Sequence, residues 1–316
     1  MADKKVIAVA GATGAQGGGL VRAILADPDG EFAVRAITRD PASEKARALA
    51  AAGAEVVAAD VDNQATLERA FAGAYGAFCV TFFWDHFSPA RELAQATNMA
   101  NAAKLAGIEH AIWSTLEDSR RFVPLDDDRM PTLQGKYKVP HFDAKGEADE
   151  VFRASGAPTT YLLTSFYWEN FIYFGAAPKP GPDGVLTLTM PIGEAKFPSI
   201  AAEDIGRSAL AIFKAGRKYV GKYVGIAGEH LTGEEMAAAF TRALGRPVKY
   251  FAVDPAVYRG FGFPGADDLG NMFQFNRDFA DTFTKARDLT TSRQLHPGMQ
   301  RFDEWLAVNA SRIPIE

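Results

Sequence analysis

The sequence predicts an α/β protein with a doubly wound parallel sheet, followed by a smaller C-terminal α/β lobe. Three observations predict this fold class. Short apolar segments alternate with helical patterns through the first half of the chain, a glycine-rich turn follows the first apolar segment, and the alternation changes after residue 165. The 316 residues suffice for one α/β domain and an added lobe. We therefore predict a first domain over 1–165, to which later segments near 185–228 return, and a smaller lobe over 166–316.

The first predicted unit is a strand over residues 6–10, a glycine turn, and a helix running to residue 25. Gly11 allows a tight turn, Gly14 lets the backbone approach a pyrophosphate, and Gly17 lets the helix pack closely on the strand. Phosphates would then face the free N–H groups of the helix. The spacing is GxxGxxG, and a turn that binds nothing stays open as the alternative. The predicted phosphate-binding residues are Gly11, Ala12, Thr13, Gly14, Ala15, Gln16 and Gly17.

Five further strands and four helices continue the alternation, which is typical of parallel βαβ units. Ligands of such sheets bind outside the carboxyl ends of the strands. Pro140 suits the first turn of the last of these helices. The predicted strands are 32–38, 54–60, 75–81, 109–115 and 159–163, and the predicted helices are 43–52, 63–72, 88–106 and 140–155.

Two stretches interrupt the pattern. The charges and prolines of residues 116–139 predict a long, mobile loop on the active side of the sheet. The prolines and glycines of residues 176–184 mark a boundary. Beyond it we predict strands at 185–190, 222–226 and 248–253, helices at 203–215 and 232–244, and mostly helical sequence to residue 310.

Composition limits the function classes. A net charge of −5 and the lack of a basic run argue against direct nucleic-acid binding. Cys79, the one cysteine, lies in an apolar run, which fits a reduced, cytoplasmic protein. No apolar run is long enough to span a bilayer, and the histidines are scattered without ligand spacing, so we expect neither a membrane span nor a metal site.

The end of the second predicted strand indicates which dinucleotide binds. Arg39 can offer a charge-assisted fork to the 2′-phosphate of NADP, whereas the adjacent Asp40 could serve the 2′-hydroxyl of NAD. We expect NADP(H), and a solvated Arg39 is the alternative. Asp60, at the end of the third strand, is predicted either to border the adenine or to cap a helix.

Aromatic residues follow the fourth predicted strand. Thr81 is succeeded by Phe82, Phe83 and Trp84. This cluster could form a wall on the ribose and nicotinamide side of the cofactor, or it could be core. Both interpretations stay open.

The catalytic pattern is incomplete. Short-chain dehydrogenases use a Ser or Thr after the fifth strand and Tyr-x-x-x-Lys on the next helix, where the four-residue spacing puts both side chains on one face. Ser114 and Thr115 fit the first requirement and Lys145 the last, but His141 stands where the tyrosine is expected. His141 is either a proton donor or a helix-start residue without chemistry. We expect Lys145 to contact the cofactor ribose, the alternative being a solvated lysine paired with Asp149 at i+4.

Taken together, these motifs resemble the NmrA-like family of atypical short-chain dehydrogenases, and specifically its redox-sensor branch from animals. The resemblance covers essentially the whole chain. The sensor branch tends to have Asn-Tyr after the fourth-strand threonine and a lysine in the next helix, where this chain has Phe82-Phe83 and Leu93-Ala94-Gln95. The motifs are Gly11–Gly17, Thr38-Arg39, His141–Glu147, Tyr167–Asn170, residues 262–269 and residues 271–273.

The resemblance implies a Rossmann-type domain, NADP(H) binding, and a sensor of the NADPH/NADP ratio that acts through protein partners. The resemblance also implies an alternative function, that of a reductase. Relatives that kept catalysis reduce quinones or phenylpropanoid ethers, and those that reduce the ethers rely on the lysine. A small aromatic substrate would then replace the protein partners, and a homodimer is left open. The residues that the resemblance places around the cofactor are Gly11–Gly17, Arg39, Thr81, Phe82, Phe83, Lys145, Phe166, Tyr167 and Trp168.

Overall fold

The computed structural model describes residues 4–27 and 29–315. The predicted strands and helices are found to within about two residues at each end, the usual uncertainty of an element boundary. The strands are β1 (Lys5–Val9), β2 (Phe32–Thr38), β3 (Glu55–Ala58), β4 (Gly76–Cys79), β5 (His110–Thr115), β6 (Thr159–Leu163), β7 (Phe166–Tyr167), β8 (Lys179–Pro180), β9 (Leu186–Thr189), β10 (Phe197–Ile200), β11 (Tyr223–Gly225), β12 (Glu229–Leu231) and β13 (Val248–Phe251).

The helices occupy the segments between the strands and most of the chain after residue 255. They are α1 (Ala15–Leu25), α2 (Glu44–Ala51), α3 (Gln64–Phe71), α4 (Pro89–Leu105), α5 (Pro140–Ser155), α6 (Asn170–Tyr173), α7 (Ala202–Lys214), α8 (Gly233–Leu244), α9 (Pro255–Arg259), α10 (Ala266–Asp278), α11 (Ala280–Ala286), α12 (Leu289–Leu295) and α13 (Phe302–Asn309).

The chain divides into two compact units by its internal contacts. The first contains the main sheet, and the second contains two small sheets and the C-terminal helices. The first unit comprises the chain to Asp118, His141–Leu163 and Ile205–Val224, and the second comprises Ser119–Pro140, Thr164–Asp204 and the chain from Gly225.

The first unit is built on a seven-stranded sheet in the order β11-β6-β5-β4-β1-β2-β3. Every pair among β1 to β6 is parallel. The chain winds outward from β1 in both directions, so the order reverses between β1 and β4, where open α/β sheets hold their ligands. The predicted doubly wound fold is confirmed.

Both faces of the sheet are covered at its central strands. Each residue of β4, β5 and β6 is buried. Trp113 of β5 stacks on Phe152 of α5 with ring centroids 4.8 Å apart. Gly206 of α7 is required for close packing on α1, because a Cβ there would lie 2.1 Å from the backbone nitrogen of Leu20.

The second unit contains two three-stranded sheets, β12-β10-β7 and β13-β9-β8. Its core is aromatic. The rings of Trp168, Phe302 and Trp305 pack on one another, and the indole of Trp168 donates to the Ser199 hydroxyl at 2.8 Å. The sequence does not predict β7, β8, β10 and β12. Strands β7, β8 and β12 have two or three residues, too few to leave a period in the sequence.

The predicted boundary differs from the structure at residues 119–140, which belong to the second unit. Helix α10 holds this segment: the Asn271 amide donates to the carbonyls of Lys138 and Pro131, and the Gln274 amide donates to the carbonyl of Arg129. The segment contains only one 3-10 turn and an isolated antiparallel bridge between Leu133 and Tyr137, in accord with the predicted loop. Its mobility stays a prediction.

Candidate dinucleotide site

The glycine turn between β1 and α1 has the geometry of a phosphate cradle. Gly11 adopts φ +64, a left-handed conformation that favours glycine. A Cβ on Gly17 would lie 2.4 Å from the carbonyl oxygen of Gly11, so only glycine fits there. Gly14 is the N-cap of α1 and supplies no side-chain cap, and the first turn carries no acidic residue. The start of the helix therefore offers N–H groups and a positive dipole end to an anion.

The residues of the glycine turn differ in their exposure to solvent. Gly11, Gly14 and Ala15 are exposed, and Thr13 is half-buried. Ala12 and Gln16 are buried. The exposed members are the ones that a diphosphate would approach, and the buried ones fix the turn on the sheet.

Arg39 follows β2 directly, and its side chain is 67% exposed. Its Nη1 lies 3.6 Å from Asp85 Oδ2, a loose surface pair. The Asp40 carboxylate accepts from the Ala42 N–H at 2.9 Å and so closes its own turn. The guanidinium of Arg39 is thus exposed to a ligand, and its contact with a 2′-phosphate stays a prediction.

Asp60 does not cap a helix. Its Oδ1 accepts from the Asp62 N–H at 3.0 Å, and the N-cap residue of α3 is Asn63. The helix-cap alternative is therefore wrong. A role beside the adenine stays a prediction.

The aromatic cluster after β4 is partly core and partly surface. Phe83 is buried, whereas Phe82 is 55% exposed. The Phe83 ring packs edge-on against Trp84 and Phe87, with centroids 5.4 and 6.2 Å away. Phe83 is thus a core residue, whereas contact between the exposed Phe82 and a cofactor stays a prediction.

Lys145 is a buried residue with defined partners. It is 9% exposed. Its Nζ donates to Thr81 Oγ1 at 2.6 Å, lies 2.9 Å from Glu92 Oε1, and reaches the Thr81 carbonyl at 3.4 Å. The ring of Trp113 lies 5.1 Å below the ammonium. The predicted alternative, a solvated lysine paired with Asp149, is wrong because Glu92 is the partner.

Glu92 is the site residue that sequence reasoning missed. It is completely buried, and its Oε1 accepts from the Thr81 hydroxyl at 2.5 Å. Its Oε2 lies 3.4 Å from His86 Nε2. Burial alone would raise the pKa of Glu92, but Lys145, His86 and Thr81 outweigh burial and hold this pKa at about 2. The carboxylate is therefore ionised at neutral pH.

His86 is oriented by the backbone. Its Nδ1 accepts from the Ser88 N–H at 3.1 Å, so the ring hydrogen of the neutral form is on Nε2, which lies 3.4 Å from Glu92 Oε2 without an aligned hydrogen bond. A sequence signal for Glu92 did exist. Glu92, Ala96, Met99 and Ala103 form the buried stripe of α4, and a carboxylate on such a stripe requires a partner.

Ser114 and His141 lie in the elements where the sequence predicts them. Ser114 is buried at the end of β5, and His141 is the second residue of α5. The His141 ring lies 4.8 Å from Trp84 and 5.9 Å from Phe83, centroid to centroid. The imidazole thus lies among aromatic rings, and roles for His141 and Ser114 in proton transfer stay predictions.

The Thr115 hydroxyl is hydrogen-bonded to a carboxylate of α5. This hydroxyl donates to Asp149 Oδ1 at 2.6 Å, which also accepts from the Trp113 indole at 3.0 Å. Tyr223 donates to Asp149 Oδ2 at 2.7 Å. Burial raises the pKa of Asp149 to about 6, against the effect of these three donors.

Residues 166–168 belong to the second unit. Trp168 is completely buried among the rings of its core, so its side chain is a core residue rather than an exposed wall. Phe166 packs on Phe197 at 5.3 Å. Cofactor contacts for Phe166 and Tyr167 stay predictions.

The residues of the first unit fit a nicotinamide dinucleotide in three respects. The glycine turn is a cradle that a Cβ would fill, the Arg39 guanidinium is exposed on the surface, and Lys145 holds an ammonium at the carboxyl end of the sheet. Within residues 4–27 and 29–315, no three His, Cys, Asp or Glu side chains are grouped to hold a metal ion. No helix in this part of the chain combines the length and apolarity needed to cross a bilayer.

The sheet order and the glycine turn define a Rossmann-type α/β protein. The profile of the NmrA-like family matches residues 3–306, and the chain belongs to this family. It is 29% identical over 308 residues to the NmrA-like family domain-containing oxidoreductase lnbB of Aspergillus flavus, covering 90% of this chain and 89% of that one. It is 30% identical over 293 residues to the oxidoreductase FrzB of Cladobotryum sp, covering 86% and 84%.

Among solved structures, the chain is similar to NmrA, a negative transcriptional regulator. The complex of NmrA with NADP matches with a TM-score of 0.78 and 26% identity, covering 97% of this chain and 95% of that chain. NmrA has also been solved in complex with NAD. The expected family is thus confirmed.

Proposed function

We propose that this protein binds NADP(H) and reports the NADPH/NADP ratio to protein partners in the cytoplasm, without dehydrogenase turnover. One observation carries the proposal. The dinucleotide cradle is complete, whereas the catalytic set is not, because His141 replaces the tyrosine and Glu92 balances the charge of Lys145. In a dehydrogenase the lysine charge favours ionisation of the tyrosine. Here that charge has a buried counter-ion and no tyrosine on which to act.

The similarity to NmrA supports the same proposal, because NmrA is a transcriptional regulator that has been solved with NADP. Bound nicotinamide would supply a redox state that can be read. For sensing, the reduced and oxidised cofactors must favour different conformations. Arg39 supports NADP(H) over NAD(H), since its exposed fork can meet a 2′-phosphate.

A second candidate is an NADPH-dependent reductase of quinones or aromatic carbonyls. The exposed ring of Phe82 favours it, since a planar substrate could stack there. The names of the relatives lnbB and FrzB also favour it. A quinone accepts hydride readily and depends less on a proton donor, so a missing tyrosine would matter less.

Calorimetric titration with NADPH, followed by NADPH oxidation against a panel of quinones and aromatic carbonyls, separates the two candidates. The sensor proposal predicts binding with turnover no higher than the protein-free blank. Turnover that is lost in Lys145→Ala would favour the reductase. Failure to bind NADPH, NADP and NAD would contradict both candidates.

A further inference from the structure

The hydrogen bonds of Lys145 leave one of its three donors weakly used. Two short contacts, at 2.6 Å to Thr81 Oγ1 and 2.9 Å to Glu92 Oε1, fix the position of Nζ. The third contact, to the Thr81 carbonyl, is 3.4 Å long and close to the limit of a hydrogen bond. The ammonium is therefore held firmly by two bonds and can give the third N–H to another acceptor.

Glu92 is itself held in place. It lies in the first turn of α4, where a carboxylate is favoured by the helix dipole. Ser88 caps this helix by accepting from the Arg91 N–H, and its own N–H donates to His86 Nδ1, which leaves His86 Nε2 3.4 Å from the second carboxylate oxygen. The carboxylate therefore has little freedom to follow a displaced lysine.

Together, Thr81 and Glu92 form a closed triangle with Lys145. The Thr81 hydroxyl donates to Glu92 and accepts from Lys145, so each member bonds the other two. An ion pair that served stability alone would need no third member, and replacing buried pairs with apolar residues often costs little. This arrangement instead fixes the direction of one ammonium group.

We infer that Glu92 is a positioning residue, which with Thr81 aims the remaining N–H of Lys145 at a hydroxyl of the nicotinamide ribose. The inference rests on the proposed binding of NADP(H). It assigns a role in cofactor binding to a residue of α4 that contacts Lys145 and not the cofactor. Loss of Glu92 should therefore affect only ligands that carry the nicotinamide riboside.

The test compares two ligands by calorimetric titration. NADPH carries the nicotinamide riboside, and adenosine 2′,5′-bisphosphate lacks it while keeping the 2′-phosphate. The variants are Glu92→Gln, Lys145→Met and the double variant, which removes both buried charges and so leaves neither unpaired. Glu109→Gln is the matched control, since Glu109 is exposed in the same unit.

We expect Glu92→Gln and Lys145→Met each to weaken NADPH binding about tenfold or more, the effect of losing one charge-assisted hydrogen bond. Bisphosphate binding should stay within about twofold of the wild type, and the double variant should bind NADPH no more weakly than Lys145→Met. Glu109→Gln should match the wild type with both ligands.

Three results would overturn the inference: unchanged NADPH affinity in Glu92→Gln, an equal loss for both ligands, or additive losses in the double variant. Should Glu92→Gln fail to fold, Glu92→Asp carries the same test, because it keeps the charge but withdraws the carboxylate by one methylene. It should weaken NADPH binding and spare the bisphosphate. A wild type that does not bind NADPH would instead contradict the proposed function.

Discussion

Lys145 and Asp149 lie one turn apart on α5, yet their side chains have separate partners. Lys145 pairs with Glu92, whereas Asp149 accepts from Trp113, Thr115 and Tyr223. The three groups that donate to Asp149 are all uncharged. Burial is therefore the largest effect on this carboxyl and raises its pKa to about 6. The i, i+4 rule describes exposed helix faces and fails here because both residues are buried.

Asp149→Asn should stabilise the protein increasingly as the pH rises. A carboxyl whose folded pKa exceeds its unfolded value contributes stability that is fully present below pH 3.8, the unfolded value, and is lost as the pH rises through about 6. The uncharged amide has no such loss. The variant should therefore gain about 2 kcal/mol on the wild type between pH 4 and pH 7, measured by urea denaturation at both pH values.

Asp126→Asn is the control for this experiment, because Asp126 is exposed. It should track the wild type at both pH values. A stability difference between Asp149→Asn and the wild type that does not change with pH would show that Asp149 titrates as an ordinary carboxyl.

Arg39→Ala should weaken NADP binding by roughly 1–3 kcal/mol, the range for a hydrogen bond to a charged group, and leave NAD binding nearly unchanged. Titration calorimetry with both dinucleotides measures this difference. Asp85→Asn is the matched control, because it removes the surface partner of Arg39 at 3.6 Å. It should change NADP affinity by at most about 1 kcal/mol. Equal losses for NADP and NAD in Arg39→Ala would remove Arg39 as the phosphate reader.

At the scale of the element, the glycine turn depends on close contact between its two ends. Gly17→Ala would place a methyl group 2.4 Å from the carbonyl oxygen of Gly11, so the turn must open. We expect a loss of about 1–3 kcal/mol in the free energy of unfolding, as in other overpacked sites, together with loss of NADPH binding. Chemical denaturation and titration calorimetry measure the two effects.

Gly18→Ala is the matched control one position further along α1. A Cβ at this position would lie 3.2 Å from the flexible guanidinium of Arg22 and 3.3 Å from the Ala12 carbonyl oxygen. Alanine is also favoured over glycine within a helix, so this variant should unfold within about 1 kcal/mol of the wild type. Equal damage from both substitutions would contradict the role assigned to the Gly11–Gly17 contact.

The sequence predicts the glycine turn well because all of its parts are neighbours along the chain. The partner of Lys145 could not be predicted in this way, since Glu92 meets it only through the order of strands β4 and β5 in the sheet. The strands β7 and β8 were missed because two residues cannot show alternation. Local patterns thus predict elements, and contacts between distant elements require the structure.

Within the second unit, α10 joins the two segments that are candidates for movement. The amides of Asn271 and Gln274 donate to three carbonyls of the segment 119–140. Both also accept from Arg259, which precedes the turn at residues 261–265. Burial lowers the pKa of Arg259, which accords with its inward position. We therefore expect the backbone amides of the segment 119–140 and of the turn at residues 261–265 to change their hydrogen-exchange rates together.

At the scale of the whole molecule, sensing requires that the cofactor redox state reach a surface that partners can read. The glycine turn, Arg39 and Lys145 belong to the first unit, whereas the segment 119–140 and the exposed Phe261 and Phe263 belong to the second. Under the sensor proposal, a partner that reads the second unit responds to a cofactor bound by the first.

Hydrogen exchange measured without ligand, with saturating NADPH and with saturating NADP tests this central claim most directly. We predict that exchange in residues 119–140 and 261–265 differs between the NADPH and NADP complexes, with both segments changing in the same direction. The glycine turn should be protected equally by both cofactors, which controls for occupancy. Identical exchange in the two segments with NADPH, with NADP and without ligand would contradict the sensor account.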